Sequence, residues 1–173
     1  MTDTAIVDYR RKDQNRSLSQ PYWLVSAEID QAACEDKIAV CFSFPLATYG
    51  SSILIIEKVA FQLTEALAGG TPTITVGACT LATDAVTTGG VATVTDVDYY
   101  MVTADVTVAT PAIYFASGSA WLTARALQTE AAICRIVPAA TAVPSIGVWL
   151  ASDSSLTTGK GRLLLLVNEM PLV

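Results

Sequence analysis

Two aspartates, Asp96 and Asp98, stand two positions apart in a segment rich in Thr and Val, and their spacing could support chemistry. In a β-strand, residues i and i+2 point to the same face, so the two carboxylates would lie side by side. Neighbouring carboxylates can attract calcium, which takes further oxygen ligands from loops. Asp84 and Asp105 are candidates for those further ligands.

The same segment also has a plainer interpretation, which we favour. Val91, Thr93, Thr95 and Val97 occupy the alternate positions. A half-buried strand turns one such set inward and the other toward water. The two aspartates would then form a solvated face, and we predict no metal site.

The chain contains no histidine. Ser–His–Asp and Cys–His catalytic arrangements are therefore excluded, as are zinc sites that use imidazole. The glycine-rich phosphate-binding patterns are also missing, and the Thr-Gly-Lys-Gly string at residues 158–161 predicts a turn before the last strand. We predict no catalytic residues, no cofactor and no enzymatic activity.

The four cysteines are Cys34, Cys41, Cys79 and Cys134, and no two of them have the Cys-x-x-Cys spacing. They stand in apolar runs, where cysteine behaves as a small buried apolar residue. This predicts free thiols, as expected for a protein made in the cytoplasm. A disulfide between Cys34 and Cys41 remains an alternative.

Short strands are the elements that must position these residues. Apolar segments punctuated by Gly and Pro recur along the chain, which is typical of an all-β sandwich. Residues 53–67 are compatible with a helix or a strand, and their β-branched and aromatic content favours a strand. The other predicted strands include residues 38–44, 73–78, 91–97, 113–116, 134–137, 145–151 and 162–169. The predicted fold is a jelly-roll-like β-sandwich of residues 34–173.

Residues 1–33 differ in composition from the rest of the chain, and this difference predicts an extended N-terminal arm. Four of the ten basic residues lie in the first 16 positions, and an aromatic pair follows Pro21. Aromatic and arginine side chains are common anchors at protein contacts. The predicted partner-binding residues are Arg10, Arg11, Lys12, Arg16, Tyr22 and Trp23. Alternatively, the basic cluster is a solvated segment and Trp23 closes the end of the core.

The composition indicates a protein that covers part of its surface with a neighbour. Apolar residues make up 52% of the chain and charged residues 15%, and no base occurs between Lys58 and Arg125. A typical soluble domain has about 25% charged residues. Surplus apolar surface of this kind favours an oligomer. The net charge of −6 argues against nucleic acid as a partner. The apolar runs are too short for a membrane-spanning helix.

The segments TPTITVG (residues 71–77), TLATDAV (80–86) and LLLLVNEMP (163–171) resemble small structural proteins of tailed bacteriophages. The likeness extends over residues 53–173 and is to head cement, or decoration, proteins of the jelly-roll type. It implies a virion protein on the capsid surface, assembled in the host cytoplasm. Its partners would be the major capsid protein and itself, as a homotrimer that bridges capsid subunits. The likeness supplies no motif-matched functional residues.

Two other functions are compatible with the same residues. Trp121 and Trp149, with Tyr99, Tyr100 and Tyr114, could form a sugar-stacking platform in a host-recognition module of a tail or head fibre. Such aromatics are more often part of a core or an interface. The other alternative is a coat or tube subunit that assembles without a partner protein.

Overall fold

The computed structural model describes residues 20–34, 38–50, 52–69, 72–82, 92–102, 109–116, 135–151 and 157–171. In these residues the chain forms ten strands and two single-turn helices. The strands are Tyr22–Val25 (β1), Ile29–Asp30 (β2), Ile38–Ser43 (β3), Ser52–Ala68 (β4), Thr73–Leu81 (β5), Thr93–Met101 (β6), Ala112–Phe115 (β7), Arg135–Ile136 (β8), Val143–Ala151 (β9) and Thr158–Pro171 (β10). The helices are Gln31–Cys34 (α1) and Leu46–Tyr49 (α2).

The strands form two antiparallel sheets. Sheet A has the order β1-β10-β4-β7, with β2 added to β10 and β8 added to β4. Sheet B has the order β3-β9-β5-β6. The prediction of an all-β sandwich is therefore confirmed, and every predicted strand named above overlaps an observed strand.

The pairing follows one pattern when the two-residue strands β2 and β8 are set aside. Of the eight remaining strands, the first pairs with the last, the second with the seventh, the third with the sixth and the fourth with the fifth. A long antiparallel hairpin that folds over on itself has this pairing. The two sheets are therefore interleaved in sequence rather than formed by separate halves of the chain.

The core lies between the inner faces of the two sheets. Leu24, Leu165 and Phe61 enter it from sheet A, and Phe42 and Val148 enter it from sheet B. Burying a side chain of this size stabilises the fold by about 1.5–3 kcal/mol. The segment at residues 53–67, which was compatible with a helix or a strand, forms strand β4. The alternation of its side chains between the two faces of the sheet explains this. Val59, Phe61 and Leu63 are buried while Lys58, Gln62 and Thr64 lie on the other face.

Strand β6 departs from the predicted alternation. Thr93 and Thr95 are exposed, so the prediction that they turn inward is wrong. Two irregularities interrupt the pairing of this edge strand. Residues 97–100 lie opposite Gly77 alone, and Thr95 has no partner because Ala78 pairs with Asp96 and Cys79 with Val94. A bulge on an edge strand breaks the simple two-residue period.

The segment at residues 158–161 is not the predicted turn but the start of β10. Thr158 pairs with Ala68 and Lys160 with Glu65, with register shifts on either side of Lys160. Gly159 has φ of +140°, a backbone conformation that favours glycine. The glycines therefore allow an irregular strand entry where the sequence suggested a reversal.

Candidate interaction surface

The outer face of sheet A carries a row of apolar residues that crosses four strands. Val25 of β1 is opposite Leu164 of β10, Leu164 is opposite Ala60 of β4, and Ala60 is opposite Phe115 of β7. We call these four residues the apolar row. Phe115 is exposed, Val25 and Leu164 are half-buried, and Ala60 is fully buried although it is not part of the core cluster. Their inward-facing neighbours on each strand fill the core, so the row must face away from it.

Larger apolar side chains extend this surface. Trp23 and Leu166 pair next to the row, and Ile113 lies beside Phe115 on β7. Trp23 is 38% exposed, Ile113 51% and Phe115 53%. Single exposed apolar residues are common, whereas a contiguous set is typical of a binding surface. The sheet A outer face is therefore the candidate interaction surface.

Ion pairs at one end of the sheet border this surface. Arg162 Nη2 lies 4.0 Å from Glu28 Oε2, and Thr64 Oγ1 donates to the same carboxylate at 3.1 Å. Lys160 Nζ lies 3.8 Å from Glu65 Oε2. All four ionised side chains are well exposed, so each pair contributes at most about 1 kcal/mol. These exposed charged groups keep this end of the sheet hydrated.

Two cations on the same outer face lie outside these ion pairs. Lys58 pairs with Leu166 beside Trp23, and Arg135 of β8 pairs with Ile55. Both side chains are exposed, and neither forms an ion pair with another residue that the structure describes. The apolar surface therefore has a charged margin along β4 and β8, where Glu57 is next to Lys58 in the chain.

Two of the six predicted partner-binding residues, Tyr22 and Trp23, are described by the structure. Their side chains point to opposite faces of β1. The Tyr22 ring is buried in the core of this chain, and its hydroxyl donates to Glu169 Oε2 at 3.1 Å. Trp23, the next residue, is turned outward onto the candidate surface. Both belong to β1, which pairs with β10, so this part of the predicted arm is a member of sheet A. Arg10, Arg11, Lys12 and Arg16 lie outside the described residues.

The calcium candidates Asp96 and Asp98 are neighbours on β6. The backbone N–H of Asp98 donates to Asp96 Oδ1 at 3.2 Å. A side-chain hydrogen bond with Asp96, with partial burial and the like charge, raises the pKa of Asp98. Asp84 and Asp105 lie outside the described residues, so the calcium alternative is not tested. Among described side chains, no group of three or more potential ligands is arranged to hold a metal ion.

The described cysteines are free thiols. Cys34, Cys41 and Cys79 are all buried and unbridged, so the alternative of a Cys34–Cys41 disulfide is wrong. Burial raises the pKa of the Cys41 thiol and raises that of Cys79 to about 12. Nucleophilic cysteine chemistry needs the thiolate, which burial disfavours. These two side chains are packing residues, and Cys134 lies outside the described residues.

The aromatic residues of the proposed sugar platform are not brought together. Tyr100 is buried in the core, and Tyr99 and Tyr114 pack against it. Trp149 lies on β9 opposite Thr75, on the outer face of sheet B, and is half-buried. Trp121 lies outside the described residues. In the described part of the chain, no extended aromatic platform is formed.

A small cavity opens between the sheets beside α1. It has a volume of about 20 Å³ and is lined mainly by apolar side chains, among them Ile29, Cys34 and Phe61. That is room for about one water molecule, whereas ligand pockets are about 300–1,000 Å³. The cavity is therefore a packing defect at the end of the sandwich.

Helices contribute little to the described structure. Neither α1 nor α2 exceeds one turn, and the described residues contain no helix long and apolar enough to cross a membrane. No family model, curated protein or solved structure matches this chain.

Proposed function

We propose that this chain is a non-enzymatic structural protein of a bacteriophage head, a cement protein that binds and bridges subunits of the major capsid protein. The observation that carries the proposal is the apolar surface of sheet A, where Phe115 of the apolar row and Trp23 next to the row are exposed. A surface of this kind is stable in water chiefly when a partner covers it. The protein would act on the capsid surface after assembly in the host cytoplasm.

The strand order supports a jelly roll as the form of the sandwich. Two Greek keys built from eight strands produce pairs between strands 1 and 8, 2 and 7, 3 and 6, and 4 and 5. The eight longer strands pair in that way. This agrees with the likeness to jelly-roll cement proteins carried by residues 53–173.

The mechanism would be burial of surface at many equivalent positions. A contact of standard size removes about 1,600 Å² from water. A single contact need not be strong, because many copies around a closed shell act together. The cement protein would in this way oppose the outward pressure of the packaged DNA without any covalent step.

Co-sedimentation with purified heads of the phage that carries the gene tests this function. We expect wild-type protein to sediment with the heads, and Trp23→Ala with Phe115→Ala to weaken binding by about 10-fold or more, because buried aromatic anchors dominate contact energies. Leu46→Ala is the matched control, since Leu46 is an exposed apolar residue of α2, which belongs to neither sheet. It should bind as wild type does.

The proposal would be overturned if the wild-type protein remained in the supernatant with intact heads. Specific binding to an immobilised glycan, lost on Trp149→Ala, would favour the host-recognition alternative. Shells or tubes formed by the purified protein alone would favour the self-assembling coat.

A further inference from the structure

The charges on the sheet A outer face have the opposite sign to the chain as a whole. Bases outnumber acids among the described ionised groups on and bordering this face, which are Lys58, Arg135, Lys160 and Arg162 against Glu28, Glu57 and Glu65. Two of the bases are in ion pairs, Arg162 with Glu28 and Lys160 with Glu65. The chain has a formal net charge of −6. An acidic surface that also carries apolar side chains would therefore complement this face.

The same molecule presents such a surface on its other sheet. Strand β6 is an edge of sheet B, and it carries Asp96 and Asp98 with no basic residue. Neither acid forms an ion pair with a described cation. Val94 is 38% exposed on the same strand, and Thr93 and Thr95 are exposed beside it. The edge thus combines a small apolar patch with two unneutralised carboxylates.

We propose that the sheet A outer face binds the β6 edge of a second copy of this chain. The apolar row covers Val94 and the exposed threonines, and Lys58 and Arg135 face Asp96 and Asp98. The inference rests on the proposed function, because it names the partner of the same apolar surface. In the ring the apolar row acts between copies, and the remaining surface of the joined copies binds the capsid, so the row supports head binding through assembly of the ring.

The contact is head-to-tail, because the two surfaces lie on different sheets of one molecule. Each copy receives the β6 edge of one neighbour and offers its own edge to another. Contacts of this type close into a ring when the rotation between copies allows it. A closed trimer is the smallest ring that such a contact can form with more than two copies.

Charge reversal tests the contact on the purified protein without capsids. We expect wild type to form a ring of defined mass in sedimentation equilibrium. Lys58→Glu with Arg135→Glu should produce monomers, and so should Asp96→Lys with Asp98→Lys, because each places like charges across the contact. The variant with all four substitutions should recover the ring, since both surfaces are then reversed together.

A net-charge control separates a specific contact from general repulsion. Asp3→Lys with Asp8→Lys, added to Lys58→Glu with Arg135→Glu, also restores the formal net charge of −6 without changing β6. It should stay monomeric. Raising the salt concentration should weaken the wild-type ring, because the charges are exposed and screened.

Two results would overturn the inference. A wild-type monomer at all concentrations is one, and in that case head binding in co-sedimentation would still support the proposed function. The other is an oligomer that persists in Asp96→Lys with Asp98→Lys, because it would place the contact face to face and leave β6 out of it.

Discussion

At the scale of single residues, Thr75 illustrates a polar group that the fold buries without compensation. Its Oγ1 is buried with no hydrogen-bond partner within the described structure. Thr75 lies on β5 opposite Trp149. A buried hydroxyl that leaves water without a new partner costs about 1–3 kcal/mol. Thr75 therefore contributes to the strand through its β-branched side chain more than through its hydroxyl group.

Thr75→Val should therefore stabilise the protein by about 1 kcal/mol, because it keeps the shape and removes the unpaired group. The melting temperature should rise by about 2–4 °C for a chain of this size. Thr73→Val is the matched control, two positions earlier on the same strand and less buried. It should change stability by less than about 0.5 kcal/mol. A loss of stability in Thr75→Val would mean that the hydroxyl has a partner in solution.

The sequence located some residues of the candidate surface and missed others, for physical reasons. Trp23 was predicted as an anchor because aromatic side chains are common anchors at protein contacts. The apolar row was not predicted, because Val25, Ala60, Leu164 and Phe115 are far apart in sequence. Strand register brings them together, and register depends on bulges that a single sequence does not reveal.

At the scale of elements, the bulge in β6 decides where the acidic pair lies. Gly77 of β5 makes the bulge possible: a Cβ at this position would lie 2.3 Å from the Asp96 carbonyl oxygen. The backbone of β6 therefore passes over Gly77 at a distance that only glycine allows. This close approach fixes the position of Asp96 on the edge of sheet B.

Gly77→Ala should displace β6 and destabilise the protein by about 1–3 kcal/mol or more, because the clash is with backbone. Urea unfolding measures this cost, and sedimentation should show weakened self-association because the acidic pair moves. Gly50→Ala serves for comparison: it has free space around it but φ of +57°. It should destabilise locally by about 1–2 kcal/mol and leave association unchanged. Wild-type stability in Gly77→Ala would contradict the close approach.

Most strands were predictable because they are apolar runs bounded by Pro or Gly. Strand β1 was not, and it was assigned to the arm, because it has only four residues and follows a polar segment. Its place in sheet A depends on a distant partner. Ser26 extends that pairing beyond β1, since its N–H donates to Leu163 O and its Oγ accepts from Leu163 N, both at 2.9 Å. No local pattern encodes these bonds.

At the scale of the whole molecule, folding and self-association are linked if copies meet through sheet A and β6. Any partner that binds only the folded state raises its stability by mass action. The all-β sandwich was predictable from strand number and turn spacing. The sequence did not predict that the outer face of sheet A carries an excess of bases while the β6 edge carries two acids. This distribution of charge arises from how the strands are arranged in the two stacked sheets.

The melting temperature of the wild type should therefore rise with protein concentration, by several degrees over roughly a hundredfold range. Calorimetry of Lys58→Glu with Arg135→Glu should show no such rise, because this variant does not associate. A wild-type melting temperature that is independent of concentration would contradict the link between assembly and stability.

The central position of β10 in sheet A also affects how the protein is made on the ribosome. This strand lies between β1 and β4, yet Thr158 is translated about 90 residues after Ala68. At about 5–20 residues per second, β4 waits roughly 5–20 s for its principal partner. During that time its long apolar edge can pair with other nascent chains. The speed of translation between these two strands is therefore expected to influence how much of the protein folds and how much aggregates.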